Sequence, residues 1–362
     1  AHVRGRERRA HPGTVLQLHK PGPNVRPVLV QGSSAGGNIA ADQFSTRAGT
    51  PVSVNPGLQA VVQTAQGAIA RQDSIAALLA SLAGLGSKLS DLPKPVAQAG
   101  AGLLETQLRL DGKPLDGATL RQALQRSGVL FENTLAKGAP LPQGEIKSGL
   151  LKLAGALRKW LGDATAAKPH AENRPPPPLT PGNAPRTERP SSLPLPGDLA
   201  PRDAGARLLV QADAALSRMR LAQISSLPDS FVRGGQAAGP SPELNMELPL
   251  LLGGELSVGQ FQVMRDGKNG AGEDPDGAWK MLFSINFSQT GEVGATVSLR
   301  RKKIGVMLWA EREDIAEALE DMSEDLETAL EARGLEPGAI RCRHGVPPRA
   351  KPPAGMFMDD CS

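Results

Sequence analysis

Three stretches between Trp279 and Ala310 alternate apolar with polar residues. Apolar side chains fall at every second position from 279 to 287, again from 293 to 299, and a third time from 304 to 310. A period of two is typical of a strand with one buried face. The connections between the three stretches are short, so the pattern predicts an antiparallel meander.

At Glu311 the period changes to that of a helix. Apolar residues then recur three or four positions apart, at Ile315, Leu319, Met322, Leu326, Ala329 and Leu330. Gly334 follows at the position where a glycine commonly ends a helix. The pattern predicts one helix that lies over the apolar face of the meander, and so an α+β domain. The carboxylates of this helix fall mainly on its opposite side, which favours a solvated face over a metal site or acid catalysis.

The predicted domain is longer than the meander and its helix. A further helix is predicted at its start, because apolar residues recur there at helical spacing. Residues 248–252, which are interrupted by a proline, fit an edge strand, and residues 339–343 fit a last strand. We therefore place an α+β domain at 204–345, followed by a loose tail at 346–362.

Residues 57–162 are rich in alanine and carry apolar residues at helical spacing. The pattern predicts helical patches up to Leu89, at 103–110 and at 146–160. One interpretation is a helical hairpin that binds a partner. The other, which we favour, is ordinary packing of helix on helix.

The proline content separates the helical region from the α+β domain. Eleven prolines fall in residues 163–203, including Pro175–Pro178. Such a tract is typical of a stiff, solvated spacer, and an SH3-type ligand is the alternative. Residues 1–56 are predicted to be disordered, because proline, glycine and basic residues interrupt every candidate element. The N-terminal half of the chain is thus predicted to be partly helical and largely disordered.

One motif in the first segment has the pattern of a catalytic nucleophile. Ser34 lies in a G-x-S-x-G sequence after a short apolar run, as in the nucleophile turn of α/β-hydrolases. A hydrolase sheet needs several strands before the nucleophile, and only 33 residues precede Ser34. The later histidines, His170 and His344, do not fit the order of a catalytic triad. We interpret the motif as a chance match, with a Ser-dependent hydrolase remnant as the alternative.

Composition narrows the function classes. The chain has 362 residues with 32 Pro, 41 Gly, no Tyr and 3% aromatic residues, so its core should be concentrated in part of the chain. A formal charge of +4 says little about partners. Cys342 and Cys361 have no metal-type spacing. No apolar run is long enough for a membrane span, and Arg4–Arg9 has no apolar segment behind it, so no secretory signal is expected.

These features predict no catalytic residues, cofactor or metal, and they predict neither nucleic-acid binding nor stable membrane insertion. The basic corner at Arg300–Lys303 lacks the stacking aromatic residues that a nucleic-acid site would need.

Four segments of the predicted domain resemble the C-terminal domain of bacterial flagellar hook-length control proteins. They are Trp279–Ile285, Thr290–Ala295, Val306–Glu311 and Leu330–Leu335. Ser127–Glu132 and Ile146–Leu153 also resemble the N-terminal half of some members. In the strand after Leu248, Gly253-Gly254 stands where the family usually has a proline-led strand entry, so the first strands depart from the family pattern.

The resemblance implies a secreted hook-length ruler and an export-specificity switch that acts by protein–protein contact, rather than an enzyme. It implies contact with the cytoplasmic domain of the flagellar export-gate switch protein, and passage beside hook and hook-cap subunits during export. The protein would reside in the bacterial cytoplasm before export and then leave through the flagellar type III channel. A proline-rich, aromatic-poor N-terminal region would unfold at low cost, as a narrow channel requires. A generic scaffold protein with one folded domain is the competing interpretation.

Four residues are candidates for partner binding. Met307 and Trp309 alternate with the apolar residues of the third strand, so they should point to the other face of the sheet. Large apolar groups on an exposed face are binding candidates, and Arg300 and Arg301 lie in the preceding turn. The alternative is that a helix at 204–226 covers this second face.

Overall fold

The computed structural model of the protein describes residues 56–111, 115–162, 184–187, 199–227, 243–266 and 278–347. The Ser34 motif, nearly all of the predicted disordered segment 1–56 and of the tail 346–362, most of the linker 163–203 and the loop after Asp266 lie outside the described residues. The predictions made for these parts of the chain therefore stay predictions.

The Ala-rich region forms helices, as predicted. Their bounds, together with the long helix that follows the linker, are α1 Pro56–Ile69, α2 Ile75–Leu85, α3 Lys94–Leu104, α4 Gly117–Gln125, α5 Phe131–Ala136, α6 Ile146–Leu161 and α7 Pro201–Ser225. Side chains cap several of them. Ser74 Oγ accepts a hydrogen bond from the Ala76 amide at the start of α2, and the Glu145 carboxylate accepts from the Lys147 and Ser148 amides at the start of α6.

Helices α2, α3, α6 and α7 bury their apolar faces against one another. The side chains that are fully buried in this cluster include Leu78, Leu79, Leu82, Val96, Leu103, Leu150, Leu153, Leu157 and Leu208. Burial of that many leucines is the main source of stability for the helical layer. Within 57–162, α2 packs on α3 and α3 on α6, as the favoured interpretation expects, and a role in partner binding stays untested.

A seven-stranded sheet in the described part of the chain runs in sequence order from β1 to β7. The strands are β1 Leu108–Arg109, β2 Glu243–Leu252, β3 Glu255–Asp266, β4 Ala278–Phe287, β5 Gly291–Arg300, β6 Lys303–Ala310 and β7 Glu336–His344. Strands β2 to β6 are antiparallel, which confirms the meander and the α+β fold, while the edge strands β1 and β7 are parallel to their neighbours. The prediction of helix up to Leu110 is wrong, because Leu108 pairs instead with Leu250 of β2.

One face of the sheet is apolar and carries the alternating residues predicted from the sequence. Phe261 and Phe283 stack on it with ring centroids 5.8 Å apart. Helix α4 packs on this face near β2, and two helices, α8 Glu313–Asp321 and α9 Ser323–Glu331, pack on β6 and β7. The sequence predicted a single helix here. Met322 interrupts it with ψ near 2° and is 60% exposed, so its placement on the buried stripe is wrong.

The opposite face of the sheet is more polar, and we call it the polar face. Helix α7 covers its β2 part, and α2 packs against β3. There the Arg218 guanidinium bonds to the Glu247 carboxylate, and Ser226 just beyond α7 accepts from the Asn245 amide at 3.0 Å. The middle of the polar face, on β4 to β6, is covered by residues of the linker instead of by a helix.

Candidate interaction site

The middle of the polar face contains buried polar side chains. Ser284 and Asn286 alternate with the phenylalanines of β4 and so point to this face, and Glu292 of β5 lies opposite Asn286 in the register. Ser284 is fully buried, while Asn286 and Glu292 are each only 6% exposed. The Ser284 hydroxyl donates to Glu292 Oε1 at 2.7 Å. Polar groups buried this deeply need hydrogen-bond partners to be tolerated.

Thr187, from the proline-rich linker, bonds to all three side chains, although Asn286 Oδ1 accepts no hydrogen bond from the residues that the structure describes. Its amide donates to Glu292 Oε1 at 2.7 Å and to Ser284 Oγ at 3.1 Å. Its hydroxyl donates to the Ser284 carbonyl at 2.8 Å, and its own carbonyl accepts from Asn286 Nδ2 at 3.0 Å. Every polar group of Thr187 is thus bonded to the sheet, and the residue is 5% exposed. We call the set of Gln260, Ser284, Asn286, Glu292 and Trp309 the linker slot.

Arg186 extends the same contact. Its amide donates to Gln260 Oε1 and its Nε donates to Glu292 Oε2, both at 3.2 Å. Its Nη1 donates to the Pro347 carbonyl at 3.0 Å. The guanidinium lies 6.0 Å from the centroid of the Trp309 ring, which is within cation–π range. The buried Glu292 carboxylate therefore has a cation beside it, as a buried charge requires.

Trp309 points to the polar face, as predicted, but it is only 6% exposed. The expectation of an exposed indole there is wrong, because the side chain lies over Gly294 of β5 and beneath Arg186. A methyl group at Gly294 would overlap the indole, so the absence of a side chain at 294 makes room for Trp309. The alternative that helix 204–226 covers the second face holds for β2, whereas α2 packs against β3 and Arg186 lies over Trp309.

Met307, Arg300 and Arg301 are exposed. Met307 is 38% exposed and belongs to a row across the polar face that runs from Leu282 through Thr296 to Met307. Arg300 and Arg301 lie at the β5–β6 turn, and Arg301 has φ of 55°, in the left-handed region that non-glycine residues rarely adopt. Their role in partner binding, like that of Trp309, stays a prediction.

An exposed aromatic residue lies at the same end of the sheet as this basic turn. Trp279 is the second residue of β4, pairs with Leu299 of β5 and is 48% exposed. Arg265 of β3 pairs with Trp279, and its guanidinium lies 6.0 Å from the ring centroid. The sequence marked Trp279 as part of a buried stripe. The stripe begins at Met281, two positions later than predicted, because Trp279 lies at the end of the sheet.

Sequence reasoning missed the two linker residues that bond to the middle of the polar face. Arg186 and Thr187 lie within the stretch interpreted as a solvated spacer, and their hydrogen-bond partners are about a hundred positions away. A weak signal was present, because Ser284 and Asn286 interrupt a strand that is otherwise strongly apolar. Nothing in the sequence pairs them with a particular part of the linker.

The described residues offer little catalytic or metal chemistry. No group of three or more His, Cys, Asp or Glu in these residues is arranged to hold a metal ion. Burial, reinforced by nearby Glu320, raises the pKa of the Cys342 thiol above its ordinary value, which keeps it protonated near neutral pH. None of the helices in the described ranges is long and apolar enough to cross a membrane.

Comparison with known families decides the nature of the C-terminal region. Residues 267–351 match the family described as flagellar hook-length control protein FliK. The C-terminal region carries a hook-length control domain. The match takes in β4 to β7 with α8 and α9, and so the basic turn and Met307. The family consists of non-catalytic export regulators. Neither the curated proteins nor the solved structures compared with the chain contain a match.

Proposed function

We propose that this protein controls flagellar hook length and switches the substrate specificity of the flagellar type III export apparatus, and that it does so by protein–protein contact. The observation that carries the proposal is the hook-length control domain at 267–351. The fold is consistent with a binding role, since a sheet with packed helices offers a rigid surface on which exposed residues are held in fixed positions.

The partner surface that we propose is the end of the sheet around the β5–β6 turn. Arg300, Arg301, Lys302 and Lys303 are exposed there, and Arg265 and Trp279 lie at the same end. Several cations on one surface suit an acidic partner, because opposite charges attract across an interface. The exposed tryptophan supports an interface here, since tryptophan and arginine are the residue types that contribute most to binding energy at interfaces. Met307 extends this surface along the polar face. The proposed partner is the cytoplasmic domain of the export-gate switch protein.

The proposed sequence of events uses both halves of the chain. The protein enters the type III channel from the bacterial cytoplasm, beside hook and hook-cap subunits that use the same channel. Its N-terminal part gauges the hook, and the hook-length control domain then contacts the export gate. That contact ends hook export and starts filament export. Membrane insertion, a cofactor and nucleic acid have no part in this proposal.

Complementation of a deletion strain tests the function. The full chain should restore hooks of uniform length that bear filaments, whereas a chain without residues 278–347 should give hooks of uncontrolled length with few filaments. Hook lengths are measured by electron microscopy. If the chain without 278–347 restores hooks of normal length bearing filaments, the proposed function is wrong.

A charge-reversal pair tests the surface. Arg300→Glu with Arg301→Glu should lose filament export, because it places negative charge against an acidic partner. Lys152→Glu with Lys159→Glu on the exposed side of α6 makes the same change in net charge away from the proposed surface, and it should behave like the wild type. Equal behaviour of the two pairs would exclude the β5–β6 turn. Met307→Asp tests the polar-face extension in the same assay.

A further inference from the structure

We propose that the linker slot is a peptide-binding site that recognises an extended arginine–threonine pair, and that its ligand is the chain's own proline-rich linker. This inference does not depend on the hook-length function. It rests on the contacts that Arg186 and Thr187 make with four different strands of the sheet.

The slot forms hydrogen bonds with both the backbone and the side chain of Thr187. Ser284, Asn286 and Glu292 between them bond the amide, the carbonyl and the hydroxyl of this residue. A valine has nearly the same shape but cannot donate to the Ser284 carbonyl, which would then be left buried without that partner. Loss of a buried hydrogen-bond partner is costly, so the site discriminates in favour of a hydroxyl side chain.

The slot selects arginine at the preceding position by three features. Glu292 supplies a buried carboxylate, the Pro347 carbonyl accepts from Nη1, and the Trp309 ring lies below the guanidinium. A lysine could neutralise the carboxylate but has no planar group to stack on the indole and fewer donors at fixed angles. In the whole chain only Arg126-Ser127 also places a hydroxyl residue after an arginine, and Ser127 is buried in the helical layer.

The geometry is that of a domain and its peptide ligand. Gln260, Ser284, Glu292 and Trp309 come from β3, β4, β5 and β6 and are held by the sheet. The described linker residues 184–187 form no helix or strand of their own, and they contact the sheet through two side chains and their backbone. While seated, they shield Glu292 and Trp309. Another protein that binds at this part of the polar face would have to displace Arg186.

The sequence itself provides a test, because trypsin does not cleave before proline. Lys168, Arg174 and Arg189 each precede a proline, so Arg186–Thr187 is the sole bond between residues 163 and 199 that trypsin can cut. We expect the wild-type chain to resist cleavage at this bond. Glu292→Gln and Arg186→Lys, which both leave a cleavable bond, should accelerate cleavage by about tenfold or more, because they increase the open population of the slot.

A control reports on the accessibility of the linker as a whole. Pro175→Ala makes the bond after Arg174 cleavable without touching the slot, and this bond should be cut much faster than Arg186–Thr187 in the same chain. Thr187→Ser, which keeps the hydroxyl, should remain protected, and Thr187→Val should not. Equal cleavage rates at the two bonds in the Pro175→Ala chain would overturn the proposal, as would unchanged protection in Arg186→Lys.

Binding in trans separates a peptide site from a merely structural contact. A synthetic peptide of residues 180–192 is titrated into the full chain carrying Arg186→Ala and Thr187→Gly, and the backbone amides of the slot are followed by NMR. Saturable binding is expected at concentrations up to about 1 mM, and weaker binding to the wild type, whose own linker competes at a high effective concentration. Adding Glu292→Gln should abolish the binding. No binding to the emptied slot, or binding that survives Glu292→Gln, would overturn the proposal.

Discussion

The Arg218 guanidinium of α7 donates two hydrogen bonds of 2.7 Å to the Glu247 carboxylate of β2, one from Nε and one from Nη2. The same guanidinium donates from Nη1 to Gln72 Oε1 at 2.6 Å. Arg218 is 5% exposed, so this ion pair is enclosed between the helical layer and the sheet. It joins residues that are far apart in the sequence, and it is one of the contacts that hold α7 on β2, beside the hydrogen bond from the Asn245 amide to Ser226.

We expect Arg218→Met to lower the free energy of unfolding by about 3–5 kcal/mol, because it leaves the Glu247 carboxylate enclosed without a cation. The double variant Arg218→Met with Glu247→Leu removes both charges and should recover much of that loss. Urea denaturation of the two variants measures the difference. A double variant as unstable as Arg218→Met would show that the charge of Glu247 is not the cause.

Gly205 of α7 and Trp160 of α6 form a close contact. A methyl group at 205 would overlap the Trp160 ring, so the two helices approach closely only with glycine at this position. We expect Gly205→Ala to destabilise the protein by about 1–3 kcal/mol through overpacking. Adding Trp160→Leu should relieve the overlap, so that the double variant is more stable than the sum of the single changes predicts. Additive effects would mean that the contact is not strained by the methyl group.

Leucines of the helical layer and of α9 should respond differently to truncation. Leu208 of α7 is fully buried, whereas Leu326 of α9 is only partly buried. Leu208→Ala should cost about 2–5 kcal/mol because it leaves a cavity, and Leu326→Ala should cost clearly less. Thermal unfolding of the two variants compares them directly. An equal or larger loss for Leu326→Ala would show that α9 is packed more tightly than its exposure indicates.

The C-terminal strands could be predicted because each one pairs with its neighbour in the chain. Trp279 to Ala310 alternates with period two, and the register pairs Phe283 with Ala295 and Ala295 with Leu308, as a meander requires. Leu108 could not be predicted in the same way. Its short strand has no alternation of its own, and it exists because Leu250, far along the chain, offers an edge to pair with.

The helix after β6 shows a second limit of pattern reasoning. Apolar spacing continues across Met322, so periodicity alone predicts one helix, although the backbone turns there. The linker slot shows a third limit. Ser284 and Asn286 can be recognised as polar residues in an apolar strand, but the residue that bonds them is Thr187. Thr187 lies about a hundred positions away, and the sequence around each residue does not indicate a contact over that separation.

Arg301 has a positive φ, which costs a residue with a side chain roughly 1 kcal/mol and costs glycine almost nothing. Arg301→Gly should therefore leave the free energy of unfolding unchanged or raise it by up to about 1 kcal/mol. Arg300→Gly, at the end of β5, should lower it, since glycine weakens a strand. Chemical denaturation of the two variants is the measurement. A loss of stability in Arg301→Gly would mean that the contacts of its side chain outweigh the backbone cost.

The buried carboxyl group of Glu145 should make the protein less stable as the pH rises. Burial raises the pKa of the Glu145 carboxyl above its ordinary value, against the effect of the Ser148 and Lys147 amides that bond to it. A raised pKa means that the folded protein holds the proton more tightly than the unfolded chain. The stabilising contribution is therefore fully present below the unfolded-state pKa and is lost as the pH rises through the folded-state pKa.

Glu145→Gln removes this titration and keeps one acceptor oxygen, so it retains an acceptor for only one of the two amides, which bond to different carboxylate oxygens. The free energy of unfolding of the wild type minus that of Glu145→Gln should decrease as the pH rises from about 4 to 7. Urea denaturation at several pH values gives this difference, and Glu317→Gln on the exposed side of α8 is the matched substitution. A difference that increases with pH would show the opposite balance, with the amides of Lys147 and Ser148 favouring the ionised carboxylate more than burial disfavours it.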